Sequence, residues 1–266
     1  MIPLRDNIRA RRVPIVNYSL IVATTLVFLC QVQQGLDDAT LIERFGMVPQ
    51  RVLDPESPVV VTSAHPVFGR VESELASAVV SPWLTLLTCI FLHGGWLHFL
   101  GNMWFLHIFG DNVEDRLGRV GYLVFYLASG VAASGAHLAS VPGSPVPTIG
   151  ASGAIAGVMG AYLLLYPRAM VLAAIPIVVV LQVLVVPAWF FLVFWFVLQL
   201  FQGAVMSAGT TGVAWWAHIG GFVVGAAVIL GLRYAGVLKS REVIVLPRTQ
   251  RAANYGRYRF RPRRRY

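Results

Sequence analysis

A serine becomes a nucleophile when a base within hydrogen-bond reach takes its proton. Ser152, in Gly150-Ala151-Ser152-Gly153, stands at the opening of one apolar segment, and His218 stands near the opening of another. An acyl intermediate also needs donors aimed at the developing oxyanion. His98, the Asn102 side-chain amide one turn further along the same helical face, and the Ser152 backbone N–H are candidates. The helix N-terminus at Ser152 adds a partial positive charge. A carboxylate to orient the histidine is missing. The acids nearest a segment end are Asp111, Glu114 and Asp115, at the wrong end of their segment. The chemistry expected is acyl transfer by a Ser–His dyad, with the His218 tautomer fixed by something other than an acid.

The setting is a membrane. The chain has 266 residues, 57% of them hydrophobic and only 12% charged, with mean hydropathy +0.69. Those values exclude an ordinary soluble domain and point to several apolar spans. Cys30 and Cys89 have neither a paired framework nor metal-ligand spacing, so no metal or other cofactor is expected. The first apolar run follows Arg5, Arg9, Arg11 and Arg12 and lacks a small-residue cleavage site, which marks a retained span.

Charge orients the spans. The net charge is +9, and ten of the 21 basic residues follow Val237, whereas 36–92 carries seven acids and only Arg44, Arg51 and Arg70. Lys and Arg gather on the cytoplasmic side. Both termini are therefore expected inside and the acidic loop outside, with an even number of spans. The candidates are 15–33, 95–109, 122–141, 149–166, 188–202 and 213–232. The apolar stretch 169–186 is Val/Ile-dense with Pro176 and Pro187; it suits a short extended or re-entrant segment, and counting it as a span would break the parity. The fold class expected is an all-α polytopic bundle of six transmembrane helices. Residues 1–12 form a basic cytoplasmic N-terminus, 13–236 the membrane domain with 36–92 as a partly membrane-associated outer loop, and 237–266 a basic cytoplasmic tail.

In that topology the second, fourth and sixth spans run from outside to inside. His98, Ser152 and His218 then lie at one depth, about 5–10 Å below the outer boundary at 1.5 Å per residue. Gly150, Gly153, Gly157 and Gly160 alone would fit close helix packing, and His218 alone could be an interhelical hydrogen-bonder. The serine motif is not the Gly-x-Ser-x-Gly elbow of α/β-hydrolases. Common depth on co-directional helices favours a site, and Gly221 and Gly225 let the sixth helix approach Gly153 and Gly157.

The ordered strings His93-Gly-Gly-Trp-Leu-His98-Phe-Leu-Gly-Asn102, Gly150-Ala-Ser152-Gly153 and Ala217-His218-Ile-Gly-Gly221-Phe-Val-Val-Gly225, with Glu114-Asp-Arg116-Leu-Gly118, resemble the rhomboid intramembrane serine proteases. The resemblance covers roughly 13–232. It implies a six-helix bundle with Ser152 as nucleophile, His218 as general base, and His98, Asn102 and the Ser152 amide as oxyanion hole. His93 would be structural, and the substrate a peptide bond in or beside a transmembrane segment, cut near the outer face without metal or nucleotide. Two positions depart from the family pattern. Ala156 stands where many relatives carry an aromatic stacked on the histidine, which leaves Trp215, Trp216 or Tyr162 to hold the ring. Trp83 is followed by Leu84 rather than arginine.

His65, His107 and His137 are expected to be loop or packing residues, and Trp96, Phe99, Trp104 and Phe105 lipid-facing or core. The arginine tail is expected to fix topology and touch anionic lipid, with no nucleic acid bound. The fifth span, with Trp189, Phe190, Phe191, Phe194, Trp195 and Phe196, is expected to be the movable wall through which substrate passes. The alternative function is a non-catalytic protein that binds client spans, or a small transporter; both site residues are retained, and no polar path crosses the midplane. A bacterial cytoplasmic membrane is the expected location.

Overall fold

The computed structural model describes residues 1–36, 39–65, 69–177, 180–205 and 214–238. The arginine-rich tail beyond 238, and Val213 at the expected start of the sixth span, lie outside the described residues. In chain order the elements are β1 (Ile2–Asp6), α1 (Ile15–Gln34), α2 (Thr40–Phe45), α3 (Pro49–Leu53), β2 (Val60–His65), β3 (Gly69–Glu74) and α4 (Thr85–Thr88). There follow α5 (Trp96–Leu117), α6 (Arg119–Ser140), α7 (Ser152–Leu165), β4 (Met170–Ile177), β5 (Val180–Pro187), α8 (Ala188–Val205) and α9 (Trp215–Tyr234).

Among the described residues four helices, α1, α6, α8 and α9, are long and apolar enough to cross a membrane. The segment Pro82–Phe91 and α5 qualify together, bent by 80° between them. Helix α7 has 14 residues, about 21 Å at 1.5 Å per residue against a hydrocarbon core of about 30 Å. It starts at Ser152 rather than Ile149 because the preceding loop is pinned outside it. Gly150 sits at φ 119° and its N–H donates to the Cys89 carbonyl at 2.9 Å, while Met47 and Thr148 exchange backbone hydrogen bonds.

Buried polar groups tie the helices into one body. No side chain of α1 caps its own N-terminus. Glu114 of α5 does so instead, accepting from the N–H groups of Val16 at 3.2 Å and Asn17 at 2.7 Å, where free donors and the helix dipole favour an anion. The Asn17 side chain in turn donates to the Leu106 carbonyl and accepts from the Tyr122 hydroxyl. At the other end of α1, Phe28 stacks on Phe99 at 4.4 Å, and the Gln31 amide grips both the N–H and the carbonyl of His93.

Helices α7 and α9 touch backbone to backbone. A Cβ on Gly221 would stand 2.0 Å from the Gly153 carbonyl oxygen, and one on Gly225 2.0 Å from that of Gly157. Such contact gathers dispersion energy where the surroundings offer no hydrophobic drive between helices.

The all-α expectation needs correction. The chain is mostly helical, but β1, β4 and β5 form an antiparallel sheet in the order β1-β4-β5, and β2 pairs with β3. The stretch 169–186 is the hairpin β4–β5, paired from Met170 with Pro187 to Ile177 with Val180. Its other edge is taken by β1, from Ile2 opposite Ala174 to Asp6 opposite Val171. Part of the expected basic N-terminus is therefore a strand, because it satisfies an edge that would otherwise hold unpaired N–H and C=O groups.

Candidate active site

Helices α5, α7 and α9 begin at the same end of the bundle. Ser152 is the first residue of α7 and His218 lies in the first turn of α9. The His218 Nε2 stands 2.7 Å from the Ser152 Oγ. The other ring nitrogen, Nδ1, stands 2.7 Å from the Gln199 Oε1 on α8. Gln199 is 6% exposed, and its Nε2 donates to the Trp195 carbonyl at 3.4 Å. The first intrahelical bond of α7 runs from the Ile155 N–H to the Ala151 carbonyl, so the Ser152 N–H has no acceptor within the helix.

His98 closes the site from α5. Its Nδ1 accepts from the Gly94 N–H at 3.3 Å, which in a neutral imidazole leaves the proton on Nε2. That nitrogen faces the serine loop. A Cβ on Gly150 would stand 2.7 Å from His98 Nε2 and 3.6 Å from Ser152 Oγ, so only glycine leaves room between them. The Asn102 amide is buried and donates to the His98 carbonyl at 2.9 Å. A carboxamide nitrogen has two hydrogens, so one is left for an incoming oxygen. His93 is 1% exposed and packs edge-on against Phe28, Phe99 and His98.

The expected residues therefore converge, and Gly153, Gly221 and Gly225 line the close contact that brings α9 to α7. Two rings hold His218. Trp215 meets it edge-on at 6.0 Å, and Trp195 of α8 lies tilted at 5.9 Å. Of the candidates for that task, Trp215 is in contact and Trp216 is 39% exposed. Tyr162 lies at the far end of the bundle, where its hydroxyl bonds Asp6. Ala156 is fully buried. Of the six aromatics expected on a loose face of α8, Phe191 is instead buried against Phe105 and Phe109, and Phe196 stacks on Phe222. Trp189, Phe190 and Phe194 are exposed. His107 stacks on Tyr18, and His137 is buried in α6.

Sequence reasoning missed Gln199. The signal was present, since Gln199 and Gln202 are the polar side chains of an otherwise apolar run in α8, and amides inside a membrane are costly without a partner.

Asp111 and Glu114 lie towards the far end of α5, with Asp6 beside Asp111 and Glu114 at the start of α1. Asp6 accepts from the Tyr162 hydroxyl, from Asn112 Nδ2 at 2.9 Å and from the Ile8 N–H at 3.3 Å. Burial nonetheless pushes its carboxyl up to about 7, outweighing those hydrogen bonds. Among the described residues no three His, Cys, Asp or Glu side chains gather closely enough to hold a metal ion.

This is a polytopic helical membrane fold with a serine and a histidine brought together at one end, and the chain belongs to the rhomboid family: residues 81–235 match the Rhomboid domain. It is an integral multi-pass membrane protein. Among its relatives, Rhomboid protease GluP of Bacillus subtilis (strain 168) is 35% identical over 178 residues, covering 65% of this chain and 31% of that protein. Rhomboid-like protein 11, chloroplastic, of Arabidopsis thaliana is 39% identical over 75 residues, 28% of this chain and 26% of its own. RHOMBOID-like protein 6, mitochondrial, of the same plant is 32% identical over 127 residues, 47% of this chain and 39% of its own. The chain thus spans well under half the length of these relatives.

Proposed function

We propose that this chain is an intramembrane serine endopeptidase that hydrolyses peptide bonds in or next to transmembrane segments of membrane-protein substrates. The observation that carries the reading is the 2.7 Å contact between Ser152 Oγ and His218 Nε2. Family membership and a relative named as a protease support it.

In the reaction, His218 Nε2 takes the Ser152 proton as Oγ attacks the substrate carbonyl carbon. The carbonyl oxygen gains the charge, met by His98 Nε2–H, the free Asn102 N–H and the Ser152 backbone N–H. His218 then returns the proton to the leaving amine. Water, activated by the same nitrogen, releases the acyl group from Oγ and restores the serine.

The topology proposed has six spans, α1, α5, α6, α7, α8 and α9, with both termini cytoplasmic and the site near the outer face. The shortness of α7 supports this, since a helix of about 21 Å starting at Ser152 sets the serine below the membrane boundary. We place the protein in a bacterial cytoplasmic membrane, which the Bacillus relative and the arginine distribution favour.

The test is labelling of the purified protein in detergent by a fluorophosphonate serine probe, comparing wild type with Ser152→Ala and His218→Ala. Labelling of wild type alone is expected. A folded wild type that stays unlabelled would transfer the weight to a non-catalytic protein binding client helices.

A further inference from the structure

A histidine general base must hold its free lone pair toward the nucleophile, and a Ser–His pair by itself does not decide which nitrogen that is. The amide of Gln199 decides it here. The Trp195 carbonyl can only accept, so the amide nitrogen of Gln199 must be the atom facing it. That orientation turns the amide oxygen toward His218 Nδ1 at 2.7 Å. An oxygen acceptor at that distance requires the proton on Nδ1, which leaves the Nε2 lone pair for the Ser152 hydroxyl.

The residue that performs this task sits on a helix with two unlike halves. Near its start α8 is anchored, with Ala188, Phe191 and Leu192 fully buried. Towards its end Val197, Phe201 and Val205 are each more than half exposed, and among the described residues the helix is held there from one side only, by Gln199 and by Gly203 against Trp215 of α9. In that second half Gln199 is buried and carries the hydrogen bond to α9, one turn from the Trp195 ring that lies beside His218.

We infer that Gln199 is the positioning residue for His218, supplied by α8, so that the serine is activated only while the far half of α8 is closed on α9. The inference rests on the Ser–His reading above. A tilt of that half away from the bundle withdraws the acceptor from Nδ1 and the Trp195 ring from His218 in one movement. The wall that would part to admit a substrate helix is then the same element that completes the base, and a helix must be admitted and α8 reclosed before the bond is cut.

The experiment pairs two variants, Gln199→Leu and Gln199→Glu, with two readouts on the whole protein in detergent. The first readout is the rate of fluorophosphonate labelling, resolved into probe affinity and maximal rate. The second is the histidine tautomer, read from 15N chemical shifts of ring-labelled protein. Gln199→Leu should lower the maximal labelling rate about 10- to 100-fold with probe affinity unchanged. It should also convert the His218 signal from pure Nδ1–H to a mixture of tautomers. Gln199→Glu keeps an oxygen acceptor at the same reach, so it should retain the Nδ1–H signature and stay within about tenfold of wild type. Wild-type rate and tautomer in Gln199→Leu would overturn the inference. So would equal losses in both variants with the tautomer unchanged, which is the mark of packing alone. If wild type itself is not labelled, the protease reading fails, and the tautomer response to Gln199→Leu still decides the role of Gln199.

Discussion

At the scale of single residues, the proposed reaction turns on donor placement around Ser152. His98 reaches the site with Nε2–H because Gly94 occupies its Nδ1. His98→Ala should lower the maximal rate of cleavage about 100- to 1,000-fold, the usual effect of deleting one oxyanion donor, with little change in substrate KM. Steady-state kinetics on a transmembrane substrate checks the split; an effect confined to KM would assign His98 to binding. Much of this was legible in the sequence. Histidine and serine inside apolar helices have few bland explanations, and Ser152 and His218 do meet, 2.7 Å apart. Gln199 was legible as a costly polar group but its role was not, because its partner lies 19 positions away on another helix and nothing in the sequence fixes the rotation of α8 about its axis.

At the scale of elements, α9 is set against α7 by glycine rather than by interlocking side chains. Gly225→Ala would drive a Cβ into the Gly157 carbonyl, whereas Gly231, on the same helix, has nothing within 4 Å. Backbone cannot yield as a side-chain tip does, so Gly225→Ala should cost at least the roughly 1–3 kcal/mol typical of overpacking, while Gly231→Ala should be neutral or slightly favourable. Thermal unfolding in detergent compares them, and equal midpoints would show that α9 can shift freely. Helix α8 invites a different test. A covalent tether between the exposed half of α8 and the start of α5 should stop cleavage of a membrane-embedded substrate while leaving labelling by a small probe intact, since Gln199 then stays on His218. Undiminished cleavage by the tethered protein would show that substrates arrive by another route. Helix positions were readable to within a few residues from hydropathy, save that α5 runs eight residues past the expected end at 109 to Leu117, whereas the faces of α8 were not readable. Six aromatics looked alike in sequence, yet Phe191 is core and Phe190 is 42% exposed.

At the scale of the whole molecule, the sheet end behaves differently from the serine end. Asp6 has its carboxyl raised by burial to about 7 from an ordinary 3.8. Between those values the folded form holds a proton that the unfolded chain has released, so its contribution to stability is full at acid pH and is lost as pH rises through about 7. The unfolding midpoint of wild type should therefore fall between pH 5 and pH 8 relative to Asp6→Asn, which lacks the titrating group; parallel profiles would remove Asp6 as the cause. The sheet was the least legible part of the fold. Val/Ile density identified 169–186 as extended, but its partner is a short strand containing Pro3, Arg5 and Asp6, whose composition reads as a charged tail. Periodicity reports local structure, and this pairing joins Ile2 to Ala174. That distance along the chain sets an order of assembly. During synthesis, at about 5–20 residues per second, β1 leaves the ribosome many seconds before β4 exists, and among the described residues β4 is the strand that pairs with it. Until α7 and the hairpin have been made, it waits with its backbone hydrated. The sheet is thus a clasp fastened late, and its closing reports that the helices between its two halves have been delivered.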